Sequence, residues 1–335
     1  MADIARIAGV SRATVSRALN GSKLLSPETR ERIVDLARSM NYSINVAAQN
    51  LRLKQNRTIA VIVPFDPGTR QHLSDPFFLS LIGSIADALT ARGLEMLLSR
   101  ADVSSLETAT QCVATGRASG IVLIGQWHLH DHLNELARRA IPFVVWGAHV
   151  ANQAYATVGG DNPRGGELAT AHLLRSGAKR VVFLGDTGLP EIAERFQGYR
   201  QAHERAGVKP IARLCRNTPF VQARIVADTE DLVNSGVRFD AIFAASDLMA
   251  MTAIGTLRRL GRRVPDDILV VGYDDIPLSS FFHPALSTVR QPIEIAGEQL
   301  VESLLEQLAG HAPASRQLAT ELIVRESSAV AGTTV

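Results

Sequence analysis

Seven short apolar runs recur after Thr58 with helical patterns between them, and this alternation restricts the bulk of the chain to α/β architecture. The first four are Ile59–Val63, Met96–Leu98, Ile121–Ile124 and Phe143–Trp146, separated by helical spacings such as Phe77 to Leu89 and His130 to Arg139. A second series follows at Val181–Leu184, Ala241–Ala244 and Ile268–Val271. Near-continuous apolar strands are those buried on both faces, so two parallel sheets with helices on their faces are expected. Two such lobes enclose a cleft beyond the carboxyl ends of their strands, where ligands bind.

At 335 residues the chain has room for two or three domains, and 46% hydrophobic residues suffice for real cores. No apolar run reaches the ~18 residues of a membrane span, and the start has no basic segment leading into an apolar stretch, so a cytoplasmic protein is expected. Cys112 and Cys215 match no metal or redox spacing and read as packing residues.

Charge divides the chain differently. Residues 1–57 hold ten Lys/Arg against four Asp/Glu, a local charge of +6 on a body that carries −4. A basic head is the footprint of a segment that meets polyanions, although solvated helical faces produce the same count. The head itself reads as three helices. Ile4, Ala5, Ile7 and Ala8 have helical spacing, and Gly9 supplies a tight turn. Ser11 can cap a second helix, Arg12 to Leu19, which buries Val15, Ala18 and Leu19 and turns Arg12, Ala13, Ser16 and Arg17 outward. Asn20-Gly21 stops it. Ser26 caps a third helix that starts at Pro27 and carries an inner stripe of Ile33, Val34, Leu36, Ala37 and Met40.

At Ala8-Gly9-Val10-Ser11, Thr14-Val15-Ser16-Arg17 and Leu19-Asn20-Gly21 the chain closely resembles the LacI family of bacterial transcription regulators. The resemblance implies a helix-turn-helix head whose second helix enters the major groove of operator DNA. Arg12, Ala13 and Arg17 match the residues that read base edges, the arginines by forking onto guanine or, alternatively, by neutralising phosphates, and Ala13 by touching a thymine methyl. Ser11, Thr14, Ser16 and Asn20 would hold phosphates. It also implies a hinge helix, in which the leucine matching Leu51 wedges into the minor groove with Asn45 and Ala48 beside it. An ordinary linker with Leu51 packed on the body is the alternative. Two departures stand out: Ile44 replaces the proline common before Asn45, and Met1 stands where family members place a Thr or Ser cap, so that cap is either lacking or lies upstream of the printed start.

The body resembles the same family, whose cores are built like periplasmic sugar-binding proteins. Blocks that carry the match include Asp161-Asn162, Arg195 with Gly198-Tyr199, Asp247 with Ala250, Val271 to Asp275, Pro284 to Thr288 and Gln291-Pro292. The organisation it implies is a head over 1–44, hinge and linker over 45–57, and an effector-binding and dimerisation domain over 58–335. Its first lobe spans about 58–158 and 292–320, and its second about 159–288 and 321–330, so the chain crosses three times. In the cleft, Arg195 and Asp274 match positions that contact effectors, with mutual pairing or capping as the alternative. Phe78, Trp146 and Phe220 would offer aromatic faces or pack in the core. Ser246 stands in place of a usual asparagine, and Gln291 lies on a crossover near the cleft.

Other classes fit less well. His128, His130 and His132 alternate beside Asp131 but lack a second ligand cluster, and read as a solvated loop. Gly159-Gly160 and Gly165-Gly166 lack the residues of a phosphate loop and read as turns. No nucleophile–base pair, metal set or cofactor motif stands out, so neither an enzyme nor a cofactor is expected. A transport protein would share the body but not the basic head. After Ser327 there are no leucine heptads, so no tetramerising helix is expected. The expectation is a homodimer on palindromic double-stranded DNA, with a sugar or sugar derivative as effector.

Overall fold

A computed structural model of the chain describes residues 1–19, 22, 24–40, 56–65 and 72–329. They fall into two compact units, Met1–Asn56 and Arg57–Val335.

The first unit holds helices α1 (Ala2–Ala8), α2 (Arg12–Leu19) and α3 (Pro27–Ser39). Gly9 ends α1 at φ 65°, a left-handed conformation that a glycine adopts without strain. Ser11 Oγ accepts from the Thr14 amide at 3.1 Å and Ser26 Oγ from the Thr29 amide at 3.3 Å, so both later helices start on side-chain caps. Met1 stands at the N-cap of α1 and gives it no side-chain bond. Ile4, Ala5, Val15, Ala18, Ile33 and Ala37 form the core, and the Arg32 guanidinium donates to the Ala8 carbonyl at 3.1 Å, which ties α3 to α1.

Two sequence expectations fail here. Ser16 is 8% exposed and counts among the buried residues of α2 beside Val15 and Ala18, a position on the edge of the buried face that a small side chain can occupy. Met40 falls just past the end of α3 and is exposed, outside the stripe assigned to it.

The second unit contains two six-stranded sheets. Lobe 1 is built from β1 (Thr58–Phe65), β2 (Glu95–Asp102), β3 (Gly120–Ile124), β4 (Phe143–Trp146), β5 (Ala156–Gly160) and β11 (Arg316–Leu318), in the order β11-β5-β4-β3-β1-β2. Every pairing in it is parallel. Helices α4 (Pro76–Ala91) and α12 (Ile293–Leu308) cover one face, and α5 (Leu106–Ala114) and α6 (His130–Arg138) lie along the other. β2 is an edge strand and leaves Leu98 exposed.

Lobe 2 holds β6 (Val181–Gly185), β7 (Cys215–Asn217), β8 (Ala241–Ala244), β9 (Leu269–Asp274), β10 (Ser287–Arg290) and β12 (Glu321–Ile323), ordered β12-β10-β9-β8-β6-β7. Its helices are α7 (Asn162–Arg175), α8 (Pro190–Arg205), α9 (Gln222–Asn234), α10 (Asp247–Arg259) and the short α11 (Leu278–Phe281). The sheet is parallel except at β12, which runs antiparallel to β10. A strand entering directly from lobe 1, without a crossover helix, can add to the edge only in that direction.

The chain passes between the lobes after β5, after β10 and between β11 and β12. Two of these strands are bonded together: the Asp161 amide donates to the Leu318 carbonyl at 2.8 Å, and Thr320 Oγ1 donates to the Asp161 carbonyl at 3.2 Å.

Gly165 and Gly166 are not turn residues. They lie inside α7, where it crosses α8 at backbone contact. A Cβ on Gly166 would stand 2.1 Å from the Arg195 carbonyl oxygen, and one on Gly198 2.0 Å from that of Pro163. The absent side chains bring the backbone of Arg195 against α7, which sets where its guanidinium can reach.

Candidate functional site

Between the lobes lies a cavity lined from both sides, whose enclosed volume is about 100 Å³ and which opens to solvent. Lobe 1 contributes Asp75, Phe77, Phe78, Trp127 and Trp146, and lobe 2 contributes Glu191, Arg195, Phe220 and Asp274. Their positions follow from the strands. Trp146 closes β4 and Asp274 closes β9, both at carboxyl ends, while Phe77 and Phe78 open α4 shortly after β1. The Phe77 and Trp146 rings sit 6.2 Å apart at 47°.

Arg195 is 6% exposed and held from several sides. Its Nε donates to Asn162 Oδ1 at 2.9 Å, one terminal nitrogen donates to the Ala245 carbonyl, and its guanidinium carbon lies 3.7 Å from the centre of the Tyr273 ring. The same terminal nitrogen stands 3.9 Å from Asp274 Oδ1, close enough for ion pairing but too far for a hydrogen bond. Arg195 is thereby fixed in place by the protein, as a ligand-orienting group needs to be.

Asp274 adopts φ 116°, where side chains are rarely found. Such strain persists only where the surroundings impose it, and it concentrates at binding sites. Burial pushes its carboxyl well above the ordinary range, against the lowering effect of Arg195. Burial also raises Asp75 and Glu191, and it raises Glu194, just behind the cavity wall, to about 7.

Five of the seven residues expected in the pocket meet there: Phe78, Trp146, Arg195, Phe220 and Asp274. Ser246 does not line the cavity. Its Oγ accepts from the Met249 amide at 3.2 Å and caps α10, which commits one of its lone pairs to the helix. Gln291 is also absent from the lining. It is 3% exposed and reaches the cavity only through Asp274, to which its Nε2 donates at 2.7 Å.

Sequence reasoning passed over Asp75, Phe77, Trp127 and Glu191. For two of these a signal existed. Asp75-Pro76 and Leu189-Pro190-Glu191 are helix starts following strands, which puts their first turns at the carboxyl edge of a sheet. Glu191 also spans the cleft, because its Oε1 accepts from the Gln126 amide of lobe 1 at 3.5 Å.

In the head, Ser11, Arg12, Ala13 and Arg17 are exposed, while Thr14 is half-buried with its hydroxyl 2.9 Å from that of Ser11. Asn20, Asn45, Ala48 and Leu51 lie outside the described residues. Among the described residues no group of three or more His, Cys, Asp or Glu could hold a metal ion, and no helix is long and apolar enough to cross a membrane. His130 bonds instead to the Tyr155 hydroxyl at 3.1 Å. Cys112 and Cys215 are free and half-buried against the cores.

A helix-turn-helix unit on a basic segment, followed by a two-lobed parallel α/β module with a cavity between its lobes, defines a ligand-responsive DNA-binding regulator. Residues 1–45 match the family model of bacterial regulatory proteins of the lacI family, and residues 170–328 match that of a periplasmic binding protein-like domain. The chain is 33% identical over 332 residues to the HTH-type transcriptional regulator CelR of Thermobifida fusca, covering 97% of this chain and 96% of that one. It is 28% identical to the ribose operon repressor of Halalkalibacterium halodurans over 97% of this chain and 96% of that one. Among solved structures, the lac repressor dimer bound to operator and the anti-inducer ONPF superimposes with a TM-score of 0.86 at 26% identity, covering 98% of each chain. A complex of the regulator CelR with cellobiose superimposes with a TM-score of 0.74 at 32% identity, over 97% of this chain and 98% of that one. The chain belongs to the LacI family of bacterial transcription regulators.

Proposed function

We propose that this regulator represses carbohydrate-utilisation genes from the cytoplasm, binding a palindromic operator as a homodimer whose affinity is set by a sugar or sugar derivative in the inter-lobe cavity. The observation that carries the reading is the cavity itself, which Phe78, Trp146 and Phe220 line together with the held polar groups Arg195 and Asp274. Aromatic faces take the C–H surfaces of a sugar, a carboxylate accepts from its hydroxyls, and a guanidinium donates to them.

In this reading Arg12, Ala13 and Arg17 read base edges, Ser11, Thr14 and Asn20 hold phosphates, and Leu51 wedges into the minor groove between Asn45 and Ala48 of paired hinges. A twofold dimer meets a twofold site. Leu79, Leu248, Leu278, Ile295 and Phe281, the last 85% exposed, are apolar side chains that a second copy would cover. Closure of the lobes around the effector would shift the dimer and misalign the hinges, with a coupling of ~1–3 kcal/mol typical of such devices.

The test is selection of genomic DNA fragments by the purified protein, sequenced with and without a mixture of sugars. Enrichment of a palindrome that is lost or gained with sugar supports the reading and gives the sign of regulation. Enrichment that no sugar alters would remove the sugar from it.

A further inference from the structure

The charge lining the cavity decides which form of a sugar can enter, an inference that rests on the sugar-responsive reading above. Three carboxylates, Asp75, Glu191 and Asp274, face the cavity with one guanidinium, that of Arg195. Arg195 is already engaged by Asn162, the Ala245 carbonyl and Asp274. Carboxylates accept hydrogen bonds and donate none when ionised, so this lining suits hydroxyl and ammonium donors.

An anionic ligand would have one other attraction here. Helix α8 begins at the cavity, with Leu189, Glu191 and Ile192 in the lining, and its N-cap Leu189 offers no side-chain bond. A helix end of this kind draws phosphates and carboxylates through its unpaired amides and its dipole. Glu191 already fills that role from within the chain. Its carboxylate sits in the first turn of α8, takes a bond from its own amide, and accepts from Gln126 across the cleft.

We propose that Glu191 is a charge filter, which occupies the anion-attracting end of α8 and restricts the cavity to sugars without an anionic group, excluding phosphorylated and acidic forms. The regulator then responds to a sugar before it is phosphorylated or oxidised. Asp75 and Asp274 line the same cavity, so an anion entering beside Glu191 either meets their charge or binds only with uptake of a proton by one of these buried carboxyls.

The experiment uses the full chain and matched probes: glucose, ribose, cellobiose and glucosamine against glucose 6-phosphate, ribose 5-phosphate and gluconate. Binding is read by thermal shift and then by calorimetry. A neutral or amino sugar is expected to bind at least about tenfold more tightly than its anionic counterpart. Glu191→Gln is expected to narrow that ratio by about tenfold, whereas Glu191→Asp, which keeps the charge, preserves it. Asp75→Asn removes a charge from the other lobe, leaves the helix end guarded, and narrows the ratio less. An anionic probe that binds the unaltered protein as tightly as its neutral counterpart overturns the filter alone. An unchanged ratio in a folded Glu191→Gln variant removes Glu191 from the role. No shift with any probe overturns the sugar reading itself, and the filter with it.

Discussion

Nε2 of Gln291 donates to Oδ1 of Asp274 at 2.7 Å, so the carboxylate lining the cavity is bonded to the segment by which the chain returns from lobe 2 to lobe 1. An effector that engages Asp274 competes for that bond or reinforces it, and either event is felt at the crossover.

Gln291→Ala is therefore expected to leave effector affinity within about threefold of the unaltered protein while reducing the effector-dependent change in operator affinity by about tenfold. Fluorescence anisotropy on labelled operator, with and without effector, separates the two. Loss of both in equal measure would make Gln291 an ordinary binding residue.

Gly166→Ala places a methyl group against the Arg195 carbonyl, where the two helix backbones leave no space. Overpacking of this kind costs about 2 to 3 kcal/mol in denaturant unfolding. Because the clash is with Arg195 itself, effector affinity is expected to fall even at temperatures where the variant is fully folded.

Asp247 has no exposed surface and accepts from the Ile276 amide at 2.9 Å, from Ser279 Oγ at 2.6 Å and from Thr288 Oγ1 at 2.5 Å. Replacing it by Ala strands three buried donors, and unfolding by urea should register a loss of about 3 kcal/mol or more. Asp247→Asn keeps one acceptor oxygen and should lose less.

Glu194 has its carboxyl raised from 4.5 to about 7, chiefly by burial, with Glu191 and Asp161 adding repulsion and Asn162 and Arg195 opposing. The folded state therefore holds this proton more tightly than the unfolded chain. Its favourable contribution is complete below the unfolded value of 4.5 and is lost as pH rises toward 7. Relative to the unaltered protein, Glu194→Gln should gain stability on going from pH 5 to pH 8, by on the order of 1 kcal/mol once solvent screening of a partly exposed group is allowed for. Thermal melts at the two pH values check both sign and size.

Arg17→Ala removes an exposed cation from the face of α2 assigned to base reading. Operator affinity should fall by about 1 to 3 kcal/mol with relaxed selectivity at one position of each half-site. A uniform loss across all sequences would make Arg17 a phosphate contact instead.

Much of this architecture was legible in the residues. The bounds of α2, the caps Ser11 and Ser26 and the seven strand runs followed from periodicity and turn chemistry, because each is decided within a few residues. Arg195 and Asp274 were legible only through the family resemblance, since nothing local marks a buried pair contributed by a helix and a strand end. Asp75 and Glu191 were missed because an acid at the start of a helix reads as a cap wherever it occurs. Only the sheet edges, formed across long sequence distances, turn these two helix starts toward one cavity. Gly165-Gly166 misled for a related reason: a glycine pair looks like a turn until a second helix is seen against it.

The order in which the chain is made bears on how lobe 1 comes together. Its first strand is complete at Phe65, yet Ala296, Leu300, Val301 and Leu304 of α12 belong to its core, and its outer strand β11 begins only at Arg316. A nascent chain that has left the ribosome up to Arg290 has every strand of lobe 2 except β12, while lobe 1 still exposes the face that α12 will cover. Since contacts this distant in sequence form late, lobe 1 is the part that needs shelter during synthesis. Chains arrested before α12 should be bound by chaperones through that open face, and chains extended past β12 should be released.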